Sequence, residues 1–180
     1  MHRMTQRLIL RRPCAQDLAS LYAIYGDAAT HQFNPAGPLT DVSQAASLLA
    51  VWLSHWERKG YGQWAVSTRE APHSVIGFGG LDARNYLDKE RLNLGYRFAV
   101  SAWGQGFATE LGRSAIDFGL IELQLPMIYA VVRPDHVKSI QVLEKIGMRQ
   151  VELLDDVPGK SPSLVYCLNR GDHAQTAPPE

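Results

Sequence analysis

Apolar positions along this chain recur at two spacings, every second residue and every third or fourth, so strands and helices are expected in alternation. Leu8-Ile9-Leu10, set between arginines, predicts a first strand. Leu18, Leu21, Tyr22 and Tyr25 then fall on one helical face. The stretch 31–38 holds two prolines and a glycine and reads as a loop. Asp41 with Gln44 three residues on resembles a capping box, opening a second helix with Ala46, Leu49, Leu53 and Trp56 on one face and Gly60 and Gly62 at its end. Trp64-Ala65-Val66-Ser67 and Val75-Ile76-Gly77-Phe78 have strand character, with a turn near Ala71-Pro72. Leu92, Leu94, Tyr96, Phe98 and Val100 alternate strictly, predicting a half-buried strand. Ala108, Leu111, Ala115 and Phe118 return to helical spacing, and the continuous apolar run 127–132 predicts a central strand. Ile140, Leu143 and Ile146 give a further helix stopping at Gly147, and 151–154 with 164–168 make a closing pair of strands. The order is β-α-α-β-β-β-α-β-α-β-β, without internal repeat or second domain. One domain is expected over residues 1–170, followed by a polar, disordered tail at 171–180.

Composition narrows the classes of function. The 180 residues are 46% hydrophobic and 20% charged, the balance of a soluble globular protein. Lysine plus arginine equals aspartate plus glutamate at 18 each, which argues against binding driven by neutralising nucleic-acid phosphates. Only Leu8-Ile9-Leu10 is continuously apolar near the start, too short for a signal or membrane segment, so a cytoplasmic protein without membrane association is expected. Cys14 and Cys167 lie far apart, and His31, His55, His73 and His173 show no ligand spacing, so no metal is expected.

Chemistry concentrates where the alternating strand ends. There Trp103-Gly104-Gln105-Gly106-Phe107-Ala108-Thr109-Glu110 runs into a helix. Small residues let a ligand approach the backbone, and the first amides of a helix are unpaired donors with partial positive charge, so the segment suits an anion. It is not a Walker A loop, which ends in Gly-Lys-Ser/Thr. Nor is it a dinucleotide fingerprint, because Thr109 stands where the third glycine belongs.

This segment resembles the pyrophosphate loop of the GNAT superfamily of N-acetyltransferases, Gln/Arg-x-x-Gly-x-Gly/Ala, aligned as Trp103-x-x-Gly106-x-Ala108. Trp-Gly at its start is similar to the branch that includes ribosomal-protein N-terminal acetyltransferases. The stretch 134–148, with Pro134, Ser139 and Leu143-Glu144-Lys145-Ile146-Gly147-Met148, resembles the family's Pro-x-Asn-x-x-Ser…Leu-Glu-Lys-Leu-Gly-Phe/Met helix, and Asn93-Leu94-Gly95-Tyr96-Arg97 its Glu-Leu-Gly-Tyr-Arg. The resemblance implies an α/β (α+β) fold: a mixed, mostly antiparallel twisted sheet of about seven strands, a central parallel pair splayed for CoA, and about four flanking helices.

It also implies roles. Acetyl-CoA is the expected co-substrate, its pyrophosphate cradled by the amides of Gln105, Gly106, Phe107, Ala108 and Thr109. The backbone of Phe98 and Val100 would pair with the pantetheine arm, and an amide at Phe98 or Ala99 would polarise the thioester carbonyl; the Phe98 side chain itself reads as core. Ser139 stands where the branch has a serine proposed to protonate the leaving thiolate, or it satisfies backbone in the first helical turn. His136 replaces the family's asparagine, either as a cofactor contact and acid–base group or as an exposed helix-start residue. Asn93 occupies the place of a glutamate base; an amide cannot serve as one, so a water relay through Asn93, Ser139 or backbone carbonyls is expected, with Glu90 on the opposite strand face. By family analogy the acceptor binds at the loop 31–38 and the following helix, through His31, Phe33 and Trp64, although aromatic residues at such spacing also serve as core. The acceptor is a primary amine, a peptide N-terminus or a small molecule, and the protein a monomer or homodimer. The competing reading is a non-catalytic acyl-CoA-binding module.

Overall fold

The computed structural model describes residues 2–176. They fall into two compact units: the described part of Met1–Asp82 with Gly95–Leu111, and Ala83–Leu94 with the described part of Gly112–Glu180. The division cuts through elements, since strands β4 (Val75–Tyr86) and β5 (Lys89–Phe98) and helix α3 (Phe107–Asp117) each contribute to both units.

The first unit also holds β1 (His2–Met4), β2 (Leu8–Arg11), α1 (Leu18–Tyr25), α2 (Val42–Lys59) and β3 (Gln63–Thr68). The second holds β6 (Met127–Val132), α4 (Val137–Lys145), β7 (Arg149–Leu154), β8 (Ser163–Asn169) and α5 (Arg170–Thr176). The described strands form an eight-stranded sheet in the order β1-β2-β3-β4-β5-β6-β8-β7. β5 and β6 pair in parallel, Asn93 opposite Tyr129, while β1–β2, β2–β3, β3–β4, β6–β8 and β7–β8 are antiparallel. A mixed α/β architecture, mostly antiparallel with one parallel pair, is therefore what the chain adopts.

In the first unit the core forms where α1 and α2 cover β3 and β4: Leu21, Ile24, Ala45, Leu49, Trp52, Ala65 and Phe78 cluster, with the Trp52 and Phe78 rings 5.5 Å apart. The buried stripe of α2 is Ala45, Leu49 and Trp52, one step off the expected one, and Ala46 is exposed. Asp41 opens this helix as expected, accepting from the amides of Ser43 and Gln44 at 2.8 and 3.1 Å. Gln44 reaches the amide of Thr40 rather than that of Asp41.

In the second unit β6 alternates, burying Ile128, Ala130 and Val132 but leaving Met127, Tyr129 and Val131 half-buried. The apolar run that predicted a strand covered on both faces thus turns a tyrosine toward a polar cluster on the other side. Two further departures lie at the ends. β1 is a short, mostly exposed strand with little pattern to read. The expected disordered tail is corrected over residues 171–176, which belong to α5; Asn169 accepts from the Asp172 amide at 2.8 Å and donates to its carboxylate at 2.8 Å, fastening the first turn. Residues 177–180 lie outside those described.

Candidate functional site

In the first unit, β5 ends at Phe98, a short 3-10 turn spans Val100–Ala102, and α3 begins at Phe107. The Gly106 carbonyl accepts the Glu110 amide at 3.1 Å, the first bond of the helix. The amides of Phe107, Ala108 and Thr109 therefore precede any intrahelical acceptor and carry the helix's partial positive charge. Gly104 and Gly106 hold φ of +74° and +78°, a region that side-chain-bearing residues avoid. A Cβ on Gly104 would meet nothing within 4 Å. One on Gly106 would lie 3.4 Å from the Arg7 Nη2. Two exposed side chains of the loop bond to nearby backbone: the Trp103 indole donates to the Phe98 carbonyl at 2.9 Å, and Gln105 Nε2 to the Ser101 carbonyl at 2.9 Å. Buried Phe107 packs its ring 6.5 Å from that of Phe98.

Arg7, just before β2, reaches this loop. Its Nη1 donates to the Gln105 carbonyl at 2.8 Å, its Nε to Glu110 Oε2 at 2.8 Å, and Nη2 lies 2.8 Å from the same oxygen. The other Glu110 oxygen accepts from the Thr5 hydroxyl at 2.6 Å and the Arg7 amide at 2.7 Å. Burial by itself would raise the Glu110 carboxyl, but these donors and the guanidinium outweigh it and hold the group below the usual range.

Part of the backbone expected to meet the cofactor arm is bonded within the fold. Ala99 donates its amide to the Ile76 carbonyl at 2.9 Å, so of the two expected oxyanion donors it is already engaged. Backbone groups alternate in direction along an extended chain, which turns those of Phe98 away from β4. The Phe98 side chain is core, as expected. Val100 has left the strand and opens the following turn, its side chain exposed.

The expected acceptor residues separate. Trp64 is 2% exposed, a core side chain that offers no surface to a ligand; strand spacing alone does not tell core from pocket. Phe33 is half-buried. His31 is buried at the end of the turn Ala28–His31, held by Arg97 Nη1 at its Nε2 and set edge-on to Tyr25, whose ring also lies under the Arg97 guanidinium at 4.4 Å. Burial first, and Arg97 second, lower the His31 pKa, with the Tyr25 carbonyl and Asp27 opposing. The unfolded chain therefore takes up this proton at higher pH than the folded one, and stability falls as pH drops below about 6.5. His31→Gln is expected to flatten that part of a melting-temperature profile between pH 5 and 7.5, and an unchanged slope would show that His31 does not carry it.

The second unit gathers polar groups around Asn93. Asn93 is 2% exposed; its Nδ2 donates to the Leu94 carbonyl at 3.1 Å, while its Oδ1 is buried without a hydrogen-bond partner among the described residues. Two residues earlier on the same strand face, Arg91 is 7% exposed. Its guanidinium lies 5.1 Å from the Tyr86 ring centre and 4.5 Å from that of Tyr129, and binds Glu152 at 2.7 Å. Arg91 Nε and the Tyr86 hydroxyl are also buried without partners among the described residues. Burial pushes the Tyr86 hydroxyl up to about 12, so it stays a donor. Glu90 is exposed. His136 and Ser139 are half-buried at the start of α4, the Ser139 amide donating to the His136 carbonyl at 3.0 Å.

An acetyltransferase (GNAT) domain model matches residues 7–149, most of the chain, from Arg7 through α4 to the first residue of β7. The chain belongs to the GNAT acetyltransferase family. It is 31% identical over 155 residues to the uncharacterized N-acetyltransferase p20 of Bacillus licheniformis, covering 84% of each chain. An acetyltransferase from Agrobacterium tumefaciens shares its fold with a TM-score of 0.77 at 24% identity, over 94% of both chains. The spermidine N-acetyltransferase of Vibrio cholerae, solved with CoA and spermine, superposes with a TM-score of 0.76 at 19% identity, over 93% of this chain and 98% of that one.

As a GNAT chain it has a loop that fits a diphosphate: amides ahead of the first helical acceptor, a glycine with open space, and a guanidinium beside the second glycine. The sequence pattern does not single out Arg7, Arg91, Tyr86 or Tyr129, and marks Arg97 only as the end of the motif 93–97. A usable signal exists for Arg91 and Arg97, which sit with Asn93 on the off-beat of the β5 alternation. For Arg7, far from the loop in sequence, there is none. Among the described residues no three His, Cys, Asp or Glu gather as metal ligands, and no helix is long and apolar enough to cross a membrane.

Proposed function

We propose that the chain transfers an acetyl group from acetyl-CoA to a primary amine by direct attack in a ternary complex. The observation that carries this reading is the loop 103–109, with two left-handed glycines and a helix start in a GNAT chain. Gln105 to Thr109 hold the pyrophosphate through backbone amides, and His136 and Ser139 keep the co-substrate roles that the family resemblance implies. Acetyl-CoA supplies an acetyl group already activated as a thioester. The Phe98 amide, turned away from β4, donates to the acetyl carbonyl, because the Ala99 amide is spent on Ile76.

The amine nitrogen bonds the acetyl carbon as the carbon–sulfur bond breaks; the amine sheds a proton and the departing sulfur gains one. Asn93 Oδ1, the buried acceptor, holds the amine or the water that receives its proton. Ser139 returns a proton to the sulfur, a modest aid because a thiol with pKa near 8.5 already leaves well. Both cysteines are free thiols, and burial pushes that of Cys167 up, which supports transfer without an acyl-cysteine.

A base this weak favours an α-amine, pKa about 8, over a lysine at about 10.4. The guanidinium of Arg91 on the same strand face as Asn93 disfavours a polycation such as the spermine bound by the Vibrio cholerae enzyme. A peptide N-terminus, or a small amine bearing a hydrogen-bond acceptor for Arg91 and Tyr86, fits better. The second reading, a CoA-binding module without turnover, is favoured by the amide in place of a carboxylate at Asn93.

Thiol release from acetyl-CoA across N-terminal peptides, small amines and polyamines separates the readings. Turnover on a peptide or small amine, with a rate that rises toward the acceptor's own pKa, is the expected result. CoA binding without turnover on any acceptor establishes the module, and failure to bind CoA overturns both.

A further inference from the structure

We propose that Arg7 is the positioning residue of the cofactor loop, tying Gln105 to Glu110 and bringing to the loop the positive charge that residues 103–109 lack. This rests on the reading that the loop holds the pyrophosphate of CoA. Between Trp103 and Thr109 there is no cationic side chain, and the two polar side chains nearest the glycines, Trp103 and Gln105, each direct an N–H to a backbone carbonyl, of Phe98 and Ser101. The loop's attraction for an anion then comes from backbone amides, and these are only as well aimed as the loop is fixed.

Arg7 fixes it from outside. One edge of its guanidinium grips the Gln105 carbonyl, another the Glu110 carboxylate, and its plane covers the Phe107 ring at 4.8 Å. The three anchors straddle Gly106, the residue that opens α3. The exposures of the pair are unequal: the Arg7 side chain is 47% exposed and that of Glu110 only 14%. The carboxylate is enclosed and fully engaged, while the Arg7 side chain, with its Nη2 beside Gly106, keeps about half of its surface exposed.

The charges explain why both are needed. A carboxylate in the first turn of α3 is favourable for the empty helix, since it complements the helix dipole. For a bound pyrophosphate it is a like charge within a turn of the same amides. Arg7 cancels that charge where it stands, so its removal acts twice, loosening Gln105 and exposing the anion to Glu110. Lysine restores the charge but not the fork that holds two acceptors at once.

The test compares the full chain with Arg7→Met, Arg7→Lys, Glu110→Gln and the Arg7→Met/Glu110→Gln double variant. CoA affinity is measured by calorimetry, KM and kcat with an acceptor the wild-type chain acetylates, and folding by melting temperature without ligand. Losing two charge-assisted contacts should weaken CoA about 30-fold in Arg7→Met, with KM for acetyl-CoA rising in step and kcat changing less than about threefold. The double variant should bind CoA more tightly than Arg7→Met, since the uncancelled carboxylate is gone, and Arg7→Lys should remain at least about fivefold weaker than wild type. Dephospho-CoA should show the same ratios, because the effect falls on the pyrophosphate. Should Arg7→Met not fold, Arg7→Lys and Glu110→Gln carry the comparison. Wild-type affinity in Arg7→Lys, or a loss confined to kcat, overturns the role of Arg7 while leaving the loop reading intact. A wild-type chain that does not bind CoA overturns the loop reading, and the role of Arg7 with it.

Discussion

Gly106→Val is expected to weaken CoA binding by more than about 100-fold while leaving the chain folded. Two effects add. A β-branched residue at φ +78° suffers the left-handed clash of Cβ with the following carbonyl, worth about 1–2 kcal/mol, and the helix start relaxes away from this geometry to relieve it. The new Cβ also lies 3.4 Å from the Arg7 Nη2, and its two methyl groups add bulk at the residue that opens α3, next to the first helical amides an anion must approach. Gly104→Ala separates these effects. Its φ of +74° brings similar strain, but its Cβ meets nothing within 4 Å, so a loss below about tenfold is expected. Calorimetric titration with CoA, alongside melting temperatures, makes the comparison. Near-wild-type affinity in Gly106→Val would remove the pyrophosphate from this loop altogether, whereas equal losses in both variants would reduce the effect to backbone strain.

The same loop shows what a sequence can and cannot reveal here. Glycines before an amphipathic helix are a local signal, because both the φ requirement and the unpaired amides follow from residues adjacent in the chain. The strand after them, the capping aspartate at position 41 and the alternation through β5 are local too, and each appears where its spacing puts it. Arg7 is different. It meets Gln105 across nearly a hundred residues, and only the finished fold brings them together. Trp64 departs from expectation for a related reason: an aromatic residue on a strand is apolar in either role, and burial decides which. Polarity predicts a disordered tail from residue 171, yet a side chain of the preceding strand, Asn169, caps its first part into a helix. On β5 the pattern is legible on one beat only. Leu92 and Leu94 mark one face as apolar, and polarity on the other beat suggests water, although Arg91 and Asn93 are among the most buried polar residues described.

That buried polar face supplies the second large effect. Asn93→Leu is expected to lower kcat by about 100-fold, the order of loss when the group that positions a reacting amine or its relay water is removed, with CoA affinity changed less than about twofold. It is also expected to leave the chain as stable as before or more so, which distinguishes the role. A buried acceptor left unsatisfied costs roughly 1–3 kcal/mol, and Asn93 Oδ1 is such an atom. Leucine of similar size removes that cost and gains burial. Against this stands the loss of the Nδ2 bond to the Leu94 carbonyl, worth about 0.5–1.5 kcal/mol. The balance is near zero or favourable, whereas cutting a structural polar residue from a core destabilises it. A site kept at the expense of stability is expected where a ligand, not the fold, completes the hydrogen bond. Asn93→Asp sharpens the test, since it keeps the acceptor and adds a charge two residues from Arg91 on the same face. Its activity should exceed that of Asn93→Leu, and its rate should gain an acidic limb as the new carboxylate titrates. Melting temperatures that fall with Asn93→Leu while kcat holds would make Asn93 a part of the core and move the amine elsewhere.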